Sequence, residues 1–352
     1  MVECYEWLLG QYQEEAQMKF SKYFEDFIKE VKNNSPLYEE LSRRIQNDEY
    51  ILALCENVRP GQPVPNMLFA SVQYLLLSGA QHNLKEYYPS VVSNAKESDD
   101  AFPEFLDFCK SYEKEIVELL KNRLVQTNEV RRCTYLYPVF CDIFAKVKRP
   151  LALVEIGPSL GLNLLWDQYA YDFGTGEIFG NKESKLVLST EMRSEMPALL
   201  SVSPPVAERI GIDLHVVFLE RDELWMRALI WPENLERVKL FEQAVEILRT
   251  QKIEFIQGDG SQIIEKVVET ISDESVVCIF HTWVANQMPE DSKLALEKKF
   301  EEIGQMRDVF HIYNNMWDHY LHIDSFIGGE LNCRTVAETN PHGKWMIWGD
   351  LN

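Results

Sequence analysis

The pattern of apolar residues changes at Arg149-Pro150, and this change constrains the fold more than any other feature of the chain. Before it, apolar residues recur at intervals of three and four, the spacing of one face of an amphipathic helix. After it, short continuous apolar runs alternate with helical stretches. Alternating strands and helices imply crossover connections, so this second part is predicted to form a mostly parallel sheet with helices on both faces.

Residues 1–148 show helical periodicity throughout and are predicted to form an all-helical cap domain. Ser35-Pro36 places a capping hydroxyl before a proline and so opens one helix. Asn66 is predicted to cap another. Further helices are expected at 16–31, 49–58, 103–124 and 130–147, and no strand is expected before residue 150.

Residues 149–352 are predicted to form a Rossmann-like α/β domain. Short apolar runs of this kind are typical of parallel strands buried on both faces. Near the C-terminus, two β-rich runs joined by an Asn-Pro-His-Gly turn predict an antiparallel hairpin. Segment 169–203 is too long for an ordinary connection, and its Gly174-Thr175-Gly176 turn indicates an inserted hairpin near the site. The buried strands are expected at 151–157, 213–220, 253–259, 275–281 and 308–314.

Charge and cysteine content restrict the class of protein. The 352-residue chain has 35 basic and 56 acidic residues, a net charge of −21, which would repel a phosphate backbone or an anionic membrane. The longest apolar stretch, 67–80, is too short to span a bilayer, and the start does not resemble a signal peptide, so a cytoplasmic protein is expected. Seven scattered cysteines without a C-x-x-C pair argue against disulfides and zinc knuckles.

The turn after the first expected strand, Glu155-x-Gly157-x-Ser159-x-Gly161, supports two kinds of chemistry. One is the G-x-S-x-G turn of a serine nucleophile, which needs an oxyanion-hole loop from an earlier strand. The sequence before this turn is helical, although His281, His319 and His342 are candidate partners for the serine. The other is a cofactor turn, whose backbone amides face a ligand at the first crossover of the sheet and whose small residues, Gly157 and Gly161, leave room for its close approach.

The second interpretation is supported by a resemblance. The turn resembles the first motif of class I S-adenosylmethionine-dependent methyltransferases, with Ser159 where the middle glycine is usual. Residues 232–260 resemble the passage from the second helix to the third strand of that superfamily, and the C-terminal hairpin matches its sheet. Nearly the whole chain, including 123–138 and 227–237, is similar to a family of bacterial proteins with a domain of unknown function.

The resemblance implies S-adenosylmethionine as the cofactor. Its ammonium would bind Glu155, its carboxylate the amides at Gly157 to Gly161, and its adenine amine Asp259. For the ribose, Glu220 is preferred, with Asp213 and Asp172 as rivals. The aromatic face of Trp283 would hold the sulfonium cation. The predicted cofactor-binding set is therefore Glu155, Gly157, Ser159, Gly161, Asn163, Glu220, Gly258, Asp259 and Trp283.

Methyl transfer depends mainly on alignment of the two reactants, so few catalytic side chains are needed. His281 is the candidate base, because imidazole titrates near neutral pH; its alternative role is that of a satisfied polar residue at a strand end. Gln126, Asn128 and Arg132 form either a lid over the cofactor or a helix cap with Asn128 as N-cap. His319 and His322, flanked by Asp318 and Asp324, have a metal-ligand spacing without an evident third ligand, so no metal is predicted.

The predicted function is that of a methyltransferase acting on a small molecule or a protein side chain. Two alternatives stay open, a serine hydrolase that uses Ser159 and a degenerate cofactor-binding or scaffold protein without catalysis. The serine in place of the middle glycine is the feature that favours the degenerate protein. The sequence does not indicate the oligomeric state.

Overall fold

The computed structural model describes residues 18–126 and 128–350. The chain forms two compact units, one made of Met1–Thr127 with Leu219–Lys239 and the other of Asn128–Phe218 with Leu240–Asn352. The sequence analysis instead divided the chain near residue 148. The helix before that point, α7 (Cys133–Val147), belongs to the second unit, where Phe140 stacks on Trp166 at 4.5 Å between ring centroids.

The first unit is helical, as the periodicity predicts. Ser35 caps the second helix by accepting a hydrogen bond from Tyr38 N at 3.3 Å, which confirms the predicted cap. The predicted cap at Asn66 is wrong, because α4 begins at Val64 with Pro63 before it. The single helix expected over 103–124 is two helices divided at Tyr112. The helices are α1 (18–31), α2 (Pro36–Ile45), α3 (Glu49–Cys55), α4 (Val64–Leu77), α5 (Ala101–Ser111), α6 (Glu113–Asn122) and α8 (Leu219–Ala228), with 3-10 turns at Asn83–Tyr87 and Ser98–Asp100.

Segment 219–239 is held to this unit by buried polar contacts. The Gln73 amide donates to the carbonyl oxygens of Ala228 and Ile230 at 2.9 and 2.6 Å. The Glu233 carboxylate accepts from Ser35 Oγ at 2.6 Å and from Leu37 N at 2.8 Å, so it adds a second acceptor at the start of α2. These contacts join residues far apart in sequence, which is why spacing alone did not assign the segment to the helical unit.

The second unit is built on a nine-stranded, mostly parallel sheet in the order β7-β6-β1-β8-β9-β10-β11-β12-β5. Strands β7 to β9 in that order are parallel, and β10 to β12 form an antiparallel meander. The strands are β1 (Leu151–Ile156), β5 (Glu191–Met192), β6 (Val206–Asp213), β7 (Glu254–Gln257), β8 (Val276–His281), β9 (Val309–Asn314), β10 (Tyr320–Ile327), β11 (Glu330–Thr339) and β12 (Trp345–Trp348). The helices are α7, the part of α9 (Leu235–Leu248) from Leu240 onward, α10 (Gly260–Glu269) and α11 (Glu290–Gly304).

The order of the parallel strands creates a switch point. From β1 the chain adds β6 and then β7 on one side, whereas β8 and β9 lie on the other side. In open α/β sheets of this kind the connections diverge at such a point and leave a crevice at the carboxyl ends of the strands. In such a sheet a ligand site is expected near the carboxyl ends of β1 and its neighbours, so these strand ends are the candidate site.

Two elements differ from the sequence-based expectation. The strand expected at 213–220 is wrong, since β6 ends at Asp213 and residues 219–228 begin a helix. The first half of β6 contains the charged pair Glu208-Arg209 and is only partly buried, so the strand lacks the continuous apolar run used to find the other strands. Strand β10 was not expected either; it forms a hairpin with β11 through Gly328-Gly329.

The other expected strands and hairpins are confirmed. The C-terminal hairpin is formed by β11 and β12. The inserted segment forms a separate small sheet in the order β3-β2-β4, made of β2 (Ala170–Asp172), β3 (Ile178–Gly180) and β4 (Val187–Ser189), with Gly174-Thr175-Gly176 at its turn. Among the described residues, no helix combines the length and apolar character needed to cross a membrane.

The alternation of side chains along β1 decides which groups face which helix. Ala152, Val154 and Ile156 belong to the apolar core that also contains residues of α10 and α11. Because side chains alternate along a strand, Glu155 points to the opposite face of the sheet. On that face, Phe140 of α7 packs edge-on against Phe280 of β8.

Candidate functional site

The turn after β1 has an uncommon backbone conformation. Gly157, Ser159 and Gly161 have φ values of 69°, 53° and 79°, all in the left-handed region. For serine this conformation carries strain and is found mainly where the surroundings impose it, often at functional sites. Ser159 is buried, so the turn is enclosed by its own unit.

Packing accounts for both glycines. A Cβ at Gly157 would lie 2.7 Å from Val284 Cγ2, and one at Gly161 would lie 2.9 Å from Ile253 Cδ1. These contacts are closer than side chains tolerate, and at both positions the φ value already favours glycine. The space beside each glycine is thus filled by neighbouring side chains, contrary to the expectation that the glycines leave room for a ligand there.

The backbone amides of the turn also have partners within the protein. Gly157 N donates to Ile212 O at 2.8 Å, and Gly161 N donates to Pro158 O at 2.8 Å. The N–H of Ser159 donates to the Asp213 carboxylate. The amides that the resemblance assigns to the cofactor carboxylate are therefore occupied at three of the positions in the turn.

Glu155 is the buried acid of the site, with 2% of its surface exposed. Its Oε1 accepts from Asn163 Nδ2 at 3.3 Å, while its Oε2 is buried without a partner. Burial raises the pKa of this carboxyl to about 8, although the Asn163 hydrogen bond and the charge of Arg132 act in the opposite direction. An ionised carboxylate in this place needs a cation or further donors to offset its desolvation.

Asn163 is fixed by contacts on both sides. Its amide nitrogen donates to Glu155, and its Oδ1 accepts from the Cys133 thiol at 3.4 Å. Burial holds the pKa of this thiol well above its ordinary value, so Cys133 is a neutral donor. Asn163 therefore orients the Glu155 carboxyl.

Asp213 is the acid at the carboxyl end of β6, the strand paired in parallel with β1. Its Oδ1 accepts from His215 N at 2.9 Å, and burial raises the pKa of its carboxyl above the ordinary value. Glu220, the preferred ribose acid, is instead an exposed residue of α8 in the helical unit. Asp172 lies in the small sheet, where it accepts from Gly174 N. Of the three candidates, Asp213 occupies the strand end beside β1.

The position of Asp213 could have been found from the sequence. The run Ile210-Gly211-Ile212 ends in an acid, as the run of β1 does, and Gly211 leaves space for Pro158 of the turn, whose Cγ would lie 2.7 Å from an added Cβ. Hydropathy alone favoured the next apolar run.

Asp259 and Gly258 follow β7. The Asp259 carboxylate caps α10, accepting from Ser261 N at 3.0 Å, Ser261 Oγ at 2.7 Å and Gln262 Nε2 at 3.2 Å. Gly258 N donates to Asp213 O at 2.9 Å, which joins the ends of β6 and β7. The observed role of Asp259 is that of a helix cap, and its contact with adenine stays a prediction.

His281 is fully buried at the end of β8. Its Nε2 lies 3.1 Å from His311 Nε2, and burial lowers the pKa of His281 to about 4. By the alternation of β8, His281 shares the sheet face of Val277 and Ile279, whereas Glu155 is on the other face. Its Nδ1 is buried without a partner, so His281 is not the fully satisfied polar residue of the alternative role, and its use as a general base stays a prediction.

Trp283 follows His281 and is held from two sides. Its backbone N–H donates to Asn314 Oδ1 at 3.1 Å, and the Arg132 guanidinium lies 5.8 Å from its ring centroid. Arg132 Nη1 also donates to Thr282 O at 3.1 Å. A cation of the protein therefore already lies over the Trp283 ring, which was expected to receive the sulfonium.

The segment before α7 is bonded to the rest of the second unit. Asn128 Oδ1 accepts from Leu162 N at 3.1 Å, just after the β1 turn. The predicted N-cap at Asn128 is wrong, since Glu129 caps the following 3-10 turn by accepting from Arg131 N. Glu129 also lies 3.2 Å from His342 Nδ1. Gln126 belongs to the helical unit, and the neighbouring Thr127 is outside the described residues.

The two remaining histidine candidates lie near the start of β10. His322 Nε2 lies 2.8 Å from Asp318 Oδ1, and the His319 ring packs on Tyr320. Within 18–126 and 128–350, no three His, Cys, Asp or Glu side chains are grouped so as to hold a metal ion.

The fold and site define an α/β protein with a large, mostly parallel sheet and a separate helical unit. A family model described as "uncharacterized protein conserved in bacteria (DUF2332)" matches residues 21–348, and the chain belongs to this family. No curated protein matches the chain.

Proposed function

We propose that the second unit binds S-adenosylmethionine at the carboxyl ends of β1 and β6, and that the protein is a methyltransferase for a small molecule or a protein side chain. The observation that carries this proposal is the buried Glu155 Oε2, which has no partner and lies at the end of the strand beside the switch point. A buried acceptor of this kind is costly to leave unpaired, and an ammonium group would satisfy it.

Asp213 supports the same ligand. It ends the strand next to β1, and its pKa is raised by burial, so hydroxyl donors from a ribose diol would stabilise its ionised form. Because the amides of Gly157, Ser159 and Gly161 are used within the protein, the cofactor carboxylate would need other donors.

Bound here, the cofactor would supply a methyl group on a cationic sulfur. The residues of this chain would bind and align it: Glu155 pairs with the ammonium, Asn163 holds that carboxyl in place, and the enclosed turn keeps water from the reacting atoms. Alignment and exclusion of water are the main sources of rate enhancement for an in-line displacement.

Calorimetric titration with S-adenosylmethionine and with its demethylated product, S-adenosylhomocysteine, tests the proposal. We expect saturable binding of both in the micromolar range, weakened about tenfold or more by Glu155→Gln because a charge-assisted hydrogen bond is lost. Glu254→Gln is the matched control, since Glu254 is an exposed acid on β7, two strands away from β1 in the same sheet. Absence of saturable heat with both compounds would rule the proposal out.

The left-handed backbone of Ser159 also favours a second candidate, a serine hydrolase, because a strained turn presents the nucleophile in such enzymes. The N–H of Ser159 donates to Asp213, and His342 lies against Glu129. Labelling with a fluorophosphonate separates the candidates. Covalent labelling that disappears in Ser159→Ala would establish the hydrolase and displace the methyltransferase proposal.

A further inference from the structure

Two neighbouring strand ends carry the same unusual backbone. Trp283, just after β8, has a φ of 59°, and Asn315, just after β9, has a φ of 55°. Tryptophan rarely adopts this conformation, and such residues persist only where the surroundings impose it. Since β8 and β9 are parallel neighbours, both residues lie at the same edge of the sheet, and the bond from Trp283 N to Asn314 Oδ1 joins their loops.

Both side chains end in a buried donor without an acceptor. Trp283 Nε1 and Asn315 Nδ2 are each inaccessible to solvent and have no hydrogen-bond partner. An indole N–H can only donate, so its partner must be an acceptor atom. Trp283 Nε1 and Asn315 Nδ2 lie on adjoining loops at one edge of the sheet, so a single ligand group with acceptor oxygens would suit both donors.

The charge beside these donors selects the kind of oxygen. The guanidinium of Arg132 lies 5.8 Å from the centroid of the Trp283 ring and bonds the Thr282 carbonyl of the same loop. A positive group over the indole that carries one of the two N–H donors favours an anionic oxygen over a neutral one.

We infer that the loops after β8 and β9 form a carboxylate subsite, in which Trp283 Nε1 and Asn315 Nδ2 bind an acidic group of the methyl acceptor. The inference rests on the proposed function and narrows its substrate to a small molecule with a carboxylate. Trp283 thus contributes its N–H to the acceptor, rather than its ring face to the sulfonium.

The test uses the full chain with ¹⁵N-labelled tryptophan indoles and benzoate as the probe carboxylate. The Trp283 resonance is identified by its loss in Trp283→Phe. We expect benzoate to shift this resonance saturably, and benzamide, which has the same ring without the charge, to leave it unchanged. Asn315→Asp, nearly the same size but repulsive to an anion, should weaken benzoate binding about tenfold or more.

Trp317→Phe is the control for labelling and folding, because Trp317 is exposed and its Nε1 already bonds Glu297; it should bind benzoate as the wild type does. If the spectrum of the other tryptophans shows that Asn315→Asp is misfolded, Asn315→Gly replaces it, since glycine accepts a φ of 55°.

An equal response to benzamide, unchanged binding in both Asn315 variants, or no shift beyond that caused by sodium chloride would overturn the inference. Titrations with and without S-adenosylhomocysteine separate the two proposals. Benzoate binding without any binding of S-adenosylhomocysteine would refute the cofactor and keep the subsite, and the reverse result would refute the subsite alone.

Discussion

Two buried carboxylates, Asp222 in the helical unit and Glu155 in the sheet unit, differ in the number and charge of their hydrogen-bond donors. Asp222 accepts from Arg123 Nη1 at 2.6 Å and from Arg221 Nη2 at 2.7 Å, so two guanidinium groups neutralise it. Glu155 has one amide donor and a second oxygen without a partner. The pairing of Asp222 is that of a structural ion pair, whereas Glu155 retains an unused capacity to bind a cation.

Replacing Asp222 tests the structural ion pair. Asp222→Ala leaves the partly buried Arg123 without its carboxylate, and we expect the free energy of unfolding to fall by about 3 kcal/mol. Thermal or urea unfolding measures this. Glu118→Ala, at an exposed position of α6, is the control and should change stability by less than about 0.5 kcal/mol. A small loss in Asp222→Ala would remove the contrast between the two acids.

In contrast to the paired Asp222, Glu155 is expected to destabilise the folded protein when its carboxyl is ionised. Burial raises the pKa of its carboxyl in the folded protein to about 8, against an ordinary value of 4.5, so between these pH values the folded state holds a proton that the unfolded state releases. The stabilisation is full below pH 4.5 and is lost as pH rises toward 8. Urea unfolding should give a wild-type stability that declines by about 5 kcal/mol over this window. Glu155→Gln should abolish that decline; an equal decline in the variant would contradict the proposed environment.

His281 is a buried base and should change the pH dependence of stability in the acid range. Burial lowers its pKa to about 4 from 6.5, so the folded protein holds a neutral imidazole. Its stabilisation is present above pH 6.5 and is lost as pH falls through 4. We expect His281→Gln to reduce the acid-induced loss of stability by about 3 kcal/mol, while binding of S-adenosylhomocysteine stays within about twofold of wild type. A strong loss of S-adenosylhomocysteine binding in His281→Gln would show that His281 takes part in ligand binding.

The smallest effect is expected for Asn163. Asn163→Ala removes the one amide donor to Glu155, and the carboxyl loses its orientation while its charge-bearing group stays. We expect S-adenosylhomocysteine to bind about fivefold more weakly, corresponding to about 1 kcal/mol. Asn163→Ser, which can still donate, should recover part of this loss. A loss larger than that of Glu155→Gln would show that Asn163 contacts the ligand itself.

The sequence predicted those features that depend on local periodicity. The change at Arg149-Pro150 correctly separated helical from alternating segments, and continuous apolar runs located β1, β7, β8 and β9. It did not find β6, whose early residues are only partly buried, so that the apolar run after Asp213 was taken for the strand. The expected strand therefore lay seven residues too late in the sequence, and Glu220 instead of Asp213 was assigned to its end as the ribose acid.

The candidate site was predictable in its location and less so in its contacts. An apolar strand that contains Glu155 and ends before Gly157 predicts a turn at the switch point of a parallel sheet. Strand β1 lies at that point, between β6 and β8. The filling of the space beside Gly157 by Val284 joins residues more than a hundred positions apart, and so does the contact of Arg132 with Trp283. Spacing along one chain does not encode such pairs, because they depend on how separate elements pack.

The helical unit has its own dependence on distant sequence. Glu233 binds the start of α2, and the carbonyl oxygens of Ala228 and Ile230 bind the Gln73 amide. Strands β1 to β6 all lie between these partners in the sequence. During synthesis from the N-terminus, residues 1–127 would therefore emerge long before segment 219–239, which belongs to the same unit. Until residue 239 has left the ribosome, this early portion lacks its final buried contacts, and a nascent protein of intermediate length would be a client for chaperones.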